Sequence, residues 1–392
     1  LDVIPAAGRA DEARRLTITR NEVQLEEQAA QSKIIEINDL NSTPRKIGVI
    51  DIPAFYLDFD AYRQGDPDFR STTRDVAKLV NELNDAGVDG LVIDLRGNGG
   101  GSLREANELT GLFIEYGPTV QIRGTGSRVW RDGKRRRGPY YDGPVAIMID
   151  RLSASASEIF AGALQDYGRA IVVGDRSFGK GTVQTLLDLP EGQLKITESK
   201  FYRISGDSTQ HRGVIPDISY PSLLQHDEIG ESSLDKALDW DRIAPVRHKD
   251  YGVVDAILPT LVAKHTERAN SNPDFQYIWD QKALSEKVRG AELLPLNEAE
   301  RIAQRTSQEI QYLAIENTRR QAKGMNALAS LDDLVDGDDD SSDMPQDNAE
   351  EPSATSEDTE AGEVDALITE TARILADAIN LSGPVMARAD SR

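Results

Sequence analysis

Three serines alternate with alanines at Ser153, Ser155 and Ser157, directly ahead of Glu158 and an apolar run in which Ile159, Phe160, Ala163 and Leu164 recur at helical spacing. That recurrence predicts a short helix over 158–164. A hydroxyl at its start lies where backbone N–H groups and the positive end of the helix dipole stabilise a developing anion. Serine is a poor nucleophile at its free pKa and needs a base. Residues 178–181 read Phe-Gly-Lys-Gly and offer one at Lys180: the glycines permit close backbone approach, and Phe178 can desolvate the amine toward the neutral form a general base requires. Gln184, four residues on, is placed to orient that lysine. A plain helix cap at one of the serines, with Glu158 favourable in the first turn, explains the first half alone. It leaves a lysine bracketed by glycines without a reason.

The elements that must position these residues follow a strand, glycine turn, helix rhythm, which argues an α/β fold. Apolar strands are predicted at 46–52, 90–95, 145–149 and 170–173, with a helix over 71–86 carrying Val76, Leu79, Val80 and Leu83 on one face. After the second strand comes Arg96-Gly97-Asn98-Gly99-Gly100-Gly101-Ser102, which leads into a helix near Leu103. Bare N–H groups there suit an oxyanion or a phosphate, and a tight turn is the plain alternative. The run is not a G-x-G-x-x-G fingerprint, so dinucleotide binding has little support. Residues 174–180 do fit G-x-x-x-x-G-K, but Gly181 stands where a P-loop needs Ser or Thr, and a strand-like segment follows.

Residues 153–170, SASASEIFAGALQDYGRA, together with FGKGTVQ at 178–184, resemble the core of the carboxyl-terminal processing (tail-specific) serine proteases. The resemblance implies Ser155 as nucleophile, Lys180 as base and Gln184 as its orienter. It also implies Asp166 in a supporting role, whose alternative is a surface salt bridge. Arg96 to Gly101 is similar to the family segment that supplies an oxyanion-hole amide, here Gly101, with Ala156 as the second donor. Together with residues 213–217, the likeness spans about 46–220. It implies a crotonase/ClpP-like protease core, substrates that are proteins or peptides with accessible apolar C-termini, no cofactor, and the bacterial periplasm, and it leaves room for an adaptor lipoprotein. A PDZ domain accompanies this core in the family. Residues 1–28 read as the end of one, two strands about Gly8, and the chain opens at Leu1 without methionine, as a truncated chain would.

Net charge is −22, but fifteen acids and no Lys or Arg fall in 332–365, so the remainder carries only −7. The short basic run Lys134 to Arg137 reads as a solvated loop, so nucleic acid is not an expected partner. Cysteine is absent, which removes disulfides, thiolate metal sites and a cysteine nucleophile. No signal peptide or transmembrane run appears. His211, His226, His248 and His265 stand in polar, loop or helical contexts read as surface. Neither a G-x-S-x-G elbow nor H-E-x-x-H is present, so no Ser-His hydrolase or metal site is expected.

The division expected is 1–28 as the end of a PDZ domain, 29–222 as the protease core, 223–331 as a helical C-terminal domain, 332–363 as an acidic disordered linker, and 364–392 as an amphipathic helix and tail. Helices are predicted at 254–269, 274–288 and 297–329, and the last, over 364–381, presents Leu367, Ile368, Ile374 and Leu375 for docking on the core or a partner. Two strands joined at 190–192, then a further strand at 200–204, follow the lysine. Competing with the peptidase are a P-loop-like nucleotide-binding protein and an inactive peptide-binding scaffold.

Overall fold

The computed structural model describes residues 2–3, 14–15, 29–39, 43–126, 128–252, 254–290, 293–334 and 365–382. They fall into two compact units, one of residues 1–27 and 288–363, the other of residues 28–287 and 364–392. In the first unit, Asp2–Val3 (β1) pairs antiparallel with Arg14–Arg15 (β2). The rest of the expected PDZ end, and the acidic stretch between 335 and 364, lie outside the described residues.

The second unit is built on a six-stranded sheet made from Gln31–Asn38 (β3), Pro44–Asp51 (β4), Gly90–Asp94 (β5), Val145–Ile149 (β8), Ile171–Gly174 (β9) and Ile218–Ser219 (β12). Its order is β12-β9-β8-β5-β4-β3, parallel throughout except for β3 against β4. Strands β5, β8 and β9 are buried along their whole length, which explains their unbroken apolar sequence. Alternate residues face two cores. On one face Ile50, Leu91, Ile93 and Ile147 meet Thr72–Asp85 (α2), Leu103–Thr110 (α3) and Ala156–Asp166 (α4) through Val80, Leu109 and Phe160. On the other, Val49, Val92 and Met148 join a cluster with Leu261, Phe275 and Leu375 of Val254–Ser271 (α5), Pro273–Arg289 (α6) and Ala366–Ser382 (α8). Phe59–Gln64 (α1) is a short surface helix capped by Asp58.

A second, antiparallel sheet flanks the first, in the order β10-β11-β6-β7, from Gly117–Gly124 (β6), Val129–Lys134 (β7), Thr182–Asp188 (β10) and Gln193–Tyr202 (β11). In place of two short strands after residue 192 there is the single strand β11, because Phe201 and Tyr202 continue the ladder onto β6. The basic run is corrected too. Lys134 is no solvated residue: its Nζ donates to the carbonyls of Gly111, Ile114 and Pro139 at 2.9–3.0 Å. In the first unit Glu298–Ala322 (α7) is capped by Asn297 and carries exposed apolar residues at Ile302 and Ile310.

Candidate active site

The three serines have separate surroundings. Ser153 is fully buried and donates to the Leu95 carbonyl at 2.7 Å, and Ser157, equally buried, donates to the Asn98 carbonyl at 2.9 Å. Both fasten the turn after β8 to the glycine loop after β5. Only Ser155 is partly open to solvent. Its backbone sits at φ 57° and ψ −107°, a conformation that costs a side-chain-bearing residue strain and that recurs where a nucleophile is held out of a turn. Asp150 secures the turn by accepting from the N–H groups of Leu152 and Ser153 at 2.9 Å and from Gly97 at 3.0 Å.

Asn98 explains how the glycine loop keeps its shape. Buried, it donates from its side-chain amide to Ile52 O at 2.7 Å, accepts from Gly100 N–H at 2.9 Å, and receives Ala154 N–H on its carbonyl at 3.0 Å. Gly100 must be glycine: its φ is 103°, and a Cβ there would lie 2.7 Å from Ala154 O and 2.9 Å from Ser155 Cβ. With Gly100 N–H engaged by Asn98, the next amide along, Gly101, has no hydrogen-bond partner among the described residues, and neither has Ala156 N–H at the start of α4. The loop therefore packs against the serine and leaves two donors uncommitted beside it.

Glu158 joins the two halves of the site. Oε2 of this fully buried carboxylate accepts from Ser155 N–H at 2.8 Å and from Lys180 N–H at 2.9 Å, while Oε1 accepts from Gly179 N–H at 2.7 Å and Ser177 Oγ at 2.6 Å. One oxygen thus ties the serine and lysine backbones together across twenty-five residues of sequence. Burial pushes the Glu158 carboxyl up to about 7, against the hydroxyl and the three N–H groups that pull it down. The sequence had offered Glu158 only as a first-turn acid. The available signal was a carboxylate three residues after a serine, a capping-box spacing, followed by six residues, 159–164, that are all small or apolar. The same geometry removes the nucleotide alternative, because the N–H groups of Gly179 and Lys180 that would cradle a phosphate are already filled by a carboxylate.

Lys180 is half-buried, on a segment closed from behind by residues 209–211. Gly179 has φ 91° and a Cβ would meet the His211 backbone at 2.9 Å, so the glycine is required by that approach. Burial, then the charge of Lys195, lower the Lys180 pKa; Glu231 and Glu158 oppose them. Gln184 is exposed on β10 and donates to Thr197 Oγ1 across the hairpin at 3.5 Å; no hydrogen bond joins it to Lys180 among the described residues. The expected orienter therefore points across its own strand pair here. Asp166, at the far end of α4 from Ser155, pairs with Arg203 and accepts Ser205 N–H at 3.2 Å, which braces α4 on the turn after β11. It touches neither Ser155 nor Lys180. Arg151, fully buried, donates to the carbonyls of Ser177, His226 and Ile229 and so holds 226–229 under the lysine segment.

The histidine reading is corrected at one position. His265 is buried, 3.1 Å from Glu370 and packed between the tilted ring of Tyr220 and the edge-on ring of Phe275, since the sheet covered by α8 encloses it. His211 is half-buried, His248 is exposed, and His226 pairs with Asp175 at 2.9 Å. Among the described residues no group of three or more His, Cys, Asp or Glu is placed to hold a metal ion, and no helix is long and apolar enough to cross a membrane.

Residues 46–220 match peptidase family S41, and residues 224–380 match the C-terminal domain of tail specific protease. The chain is 37% identical over 346 residues to the tail-specific protease of Haemophilus influenzae, an alignment that takes in 85% of this chain and 47% of that protein. It is 44% identical over 131 residues to the carboxy-terminal-processing protease of Bartonella bacilliformis, covering 33% of this chain and 30% of that one. Among solved structures, a photosystem II D1 C-terminal processing protease superposes with a TM-score of 0.42 at 25% identity, over 58% of this chain and 57% of that one. The chain spans about half the length of the tail-specific protease it matches.

Proposed function

The chain belongs to peptidase family S41, and from that premise we propose that it is a serine endopeptidase with a serine-lysine dyad. Ser155 Oγ attacks a peptide carbonyl as neutral Lys180 Nζ removes its proton. The carbonyl π electrons move onto oxygen, where the N–H groups of Gly101 and Ala156 receive the charge. Collapse breaks the C–N bond, and Lys180 returns the proton to the leaving amine. Water, deprotonated by Lys180, then adds to the acyl carbonyl, and collapse breaks the ester C–O bond as Lys180 returns that proton to Ser155 Oγ. Gln184 orients the lysine once a substrate strand displaces its Thr197 contact, and Asp166 supports α4 from its far end.

The observation that carries this reading is the shared Glu158 oxygen, which fixes the serine and lysine backbones together while two donors beside the serine remain uncommitted. The substrates are proteins presenting accessible C-terminal tails, as the names of the relatives suggest for those proteins, and the apolar character of the tails rests on the family resemblance. The periplasm, a crotonase/ClpP-like layering, a PDZ module and an adaptor lipoprotein belong to the same proposal, on family resemblance. Matched peptides that end in a free apolar carboxylate or in its amide test tail selection. Faster cleavage of the free acid supports it, and equal rates on both would remove it. A chain that binds such peptides and cleaves neither would be the inactive scaffold.

A further inference from the structure

Besides the bonds it receives from Ala154, Ser157 and the Phe55 backbone, the glycine loop at 97–101 has three further anchors. From β8 comes Asp150, which accepts Gly97 N–H; from the end of β4 comes the Ile52 carbonyl, which accepts the Asn98 side chain. The third anchor comes from the other end of the sequence. Arg96, at the root of the loop, grips Asp94 with Nε and one terminal nitrogen, and its other terminal nitrogen reaches Asp365 at 2.8 Å, at the N-terminus of α8. All three side chains are mostly shielded, at 15%, 7% and 19% exposure, so the pair is not a solvated surface contact.

Helix α8 runs back along β5. Leu375 packs where a Cβ on Gly90 would fall, 3.0 Å away, and Asp365 meets Arg96 just past the strand's other end. The helix is held down independently by Arg268, which pairs with Glu370 and Asp377 at 2.7–2.8 Å, and by the buried Ile374 and Leu375. Asp365 uses its two oxygens differently. Oδ1 caps α8 by accepting from Leu367 N–H at 2.7 Å, and Oδ2 takes Arg96. Docking of the helix does not need the second contact, whereas Arg96 gains from it a fixed direction.

We propose that Asp365 is a positioning residue for the oxyanion loop: through Arg96 it sets residues 97–101 against Ser155, so that the seating of the C-terminal helix governs the rate of the chemical step. The rate effect rests on the peptidase reading; the positioning of the loop does not. Asp365→Asn separates the two jobs, since asparagine caps a helix as well as aspartate does but removes the charge and can turn an NH2 group toward Arg96.

The test measures hydrogen exchange and steady-state kinetics on the full chain and on its Asp365→Asn variant. Exchange at amides 97–101 is expected to rise about tenfold with α8 still protected. On an unstructured protein substrate, kcat should fall about five- to twentyfold with KM little changed, as suits a displaced rather than deleted donor. Unchanged exchange at 97–101 overturns the assignment, and so does an equal loss of protection along α8, which would make Asp365 a cap alone. If the parent chain proves to cleave nothing, the peptidase reading fails, and the exchange result still decides this one.

Discussion

At the residue scale, Glu158 and the surroundings of Lys180 set the pH behaviour. The proposed dyad needs Lys180 neutral and the Glu158 clamp ionised; both conditions are lost on acidification, so kcat/KM should rise with pH from below neutrality. Because Lys195 is the second cause that lowers the Lys180 pKa, Lys195→Met should move the lysine limb of the profile to higher pH. Added salt should move the parent's limb the same way, since an exposed charge is screened. A pH–rate profile that is identical in parent and variant would remove Lys195 from the account. Glu158→Gln keeps the shape but turns an NH2 donor toward N–H groups that need an acceptor. Its kcat should drop roughly 10- to 100-fold through misplacement of serine and lysine, measured on the same peptide with folding checked by circular dichroism. His211→Ala, by contrast, should leave turnover within about threefold of the parent, because among the described residues that ring hydrogen-bonds to the Leu238 carbonyl and not to Ser155 or Lys180.

At the element scale, what was legible from sequence was what had a strong period or a strong break. The buried parallel strands β5, β8 and β9 announced themselves as apolar runs, and α2 by its repeating face with Ser71 as its cap. Strands β3, β6 and β7 were missed because polar residues such as Lys33, Glu36, Gln121 and Arg131 interrupt them, and their places are set by neighbours in the sheet, not by local pattern. Within the candidate site, Ser155 and Lys180 stand out in the sequence because alanines flank the one and glycines the other. Glu158 and Asn98 do not, since their roles consist of hydrogen bonds to segments far away in sequence. Helix α8 was readable as an amphipathic face in search of a surface, and the structure supplies that surface on the sheet. Leu375→Ala should therefore cost about 2–5 kcal/mol, seen as a lower urea midpoint of the unit. A midpoint within error of the parent would mean that the helix contributes little to the fold.

At the scale of the whole molecule, the larger of the two units is a two-faced sheet with helices on each face. One face carries α2, α3 and α4, with Ser155, the proposed nucleophile, at the head of α4; the other is covered by α5, α6 and α8, with Asp365 reaching Arg96 at the root of the glycine loop. The central claim is that Ser155 and Lys180 together hydrolyse peptide bonds. Mass spectrometry of an unstructured protein incubated with the parent, with Ser155→Ala and with Lys180→Ala tests it most directly, with chelator present throughout. The account predicts new peptide termini with the parent alone, while both variants remain folded and leave the substrate intact. Cleavage by folded Ser155→Ala or Lys180→Ala at the parent's rate would contradict it.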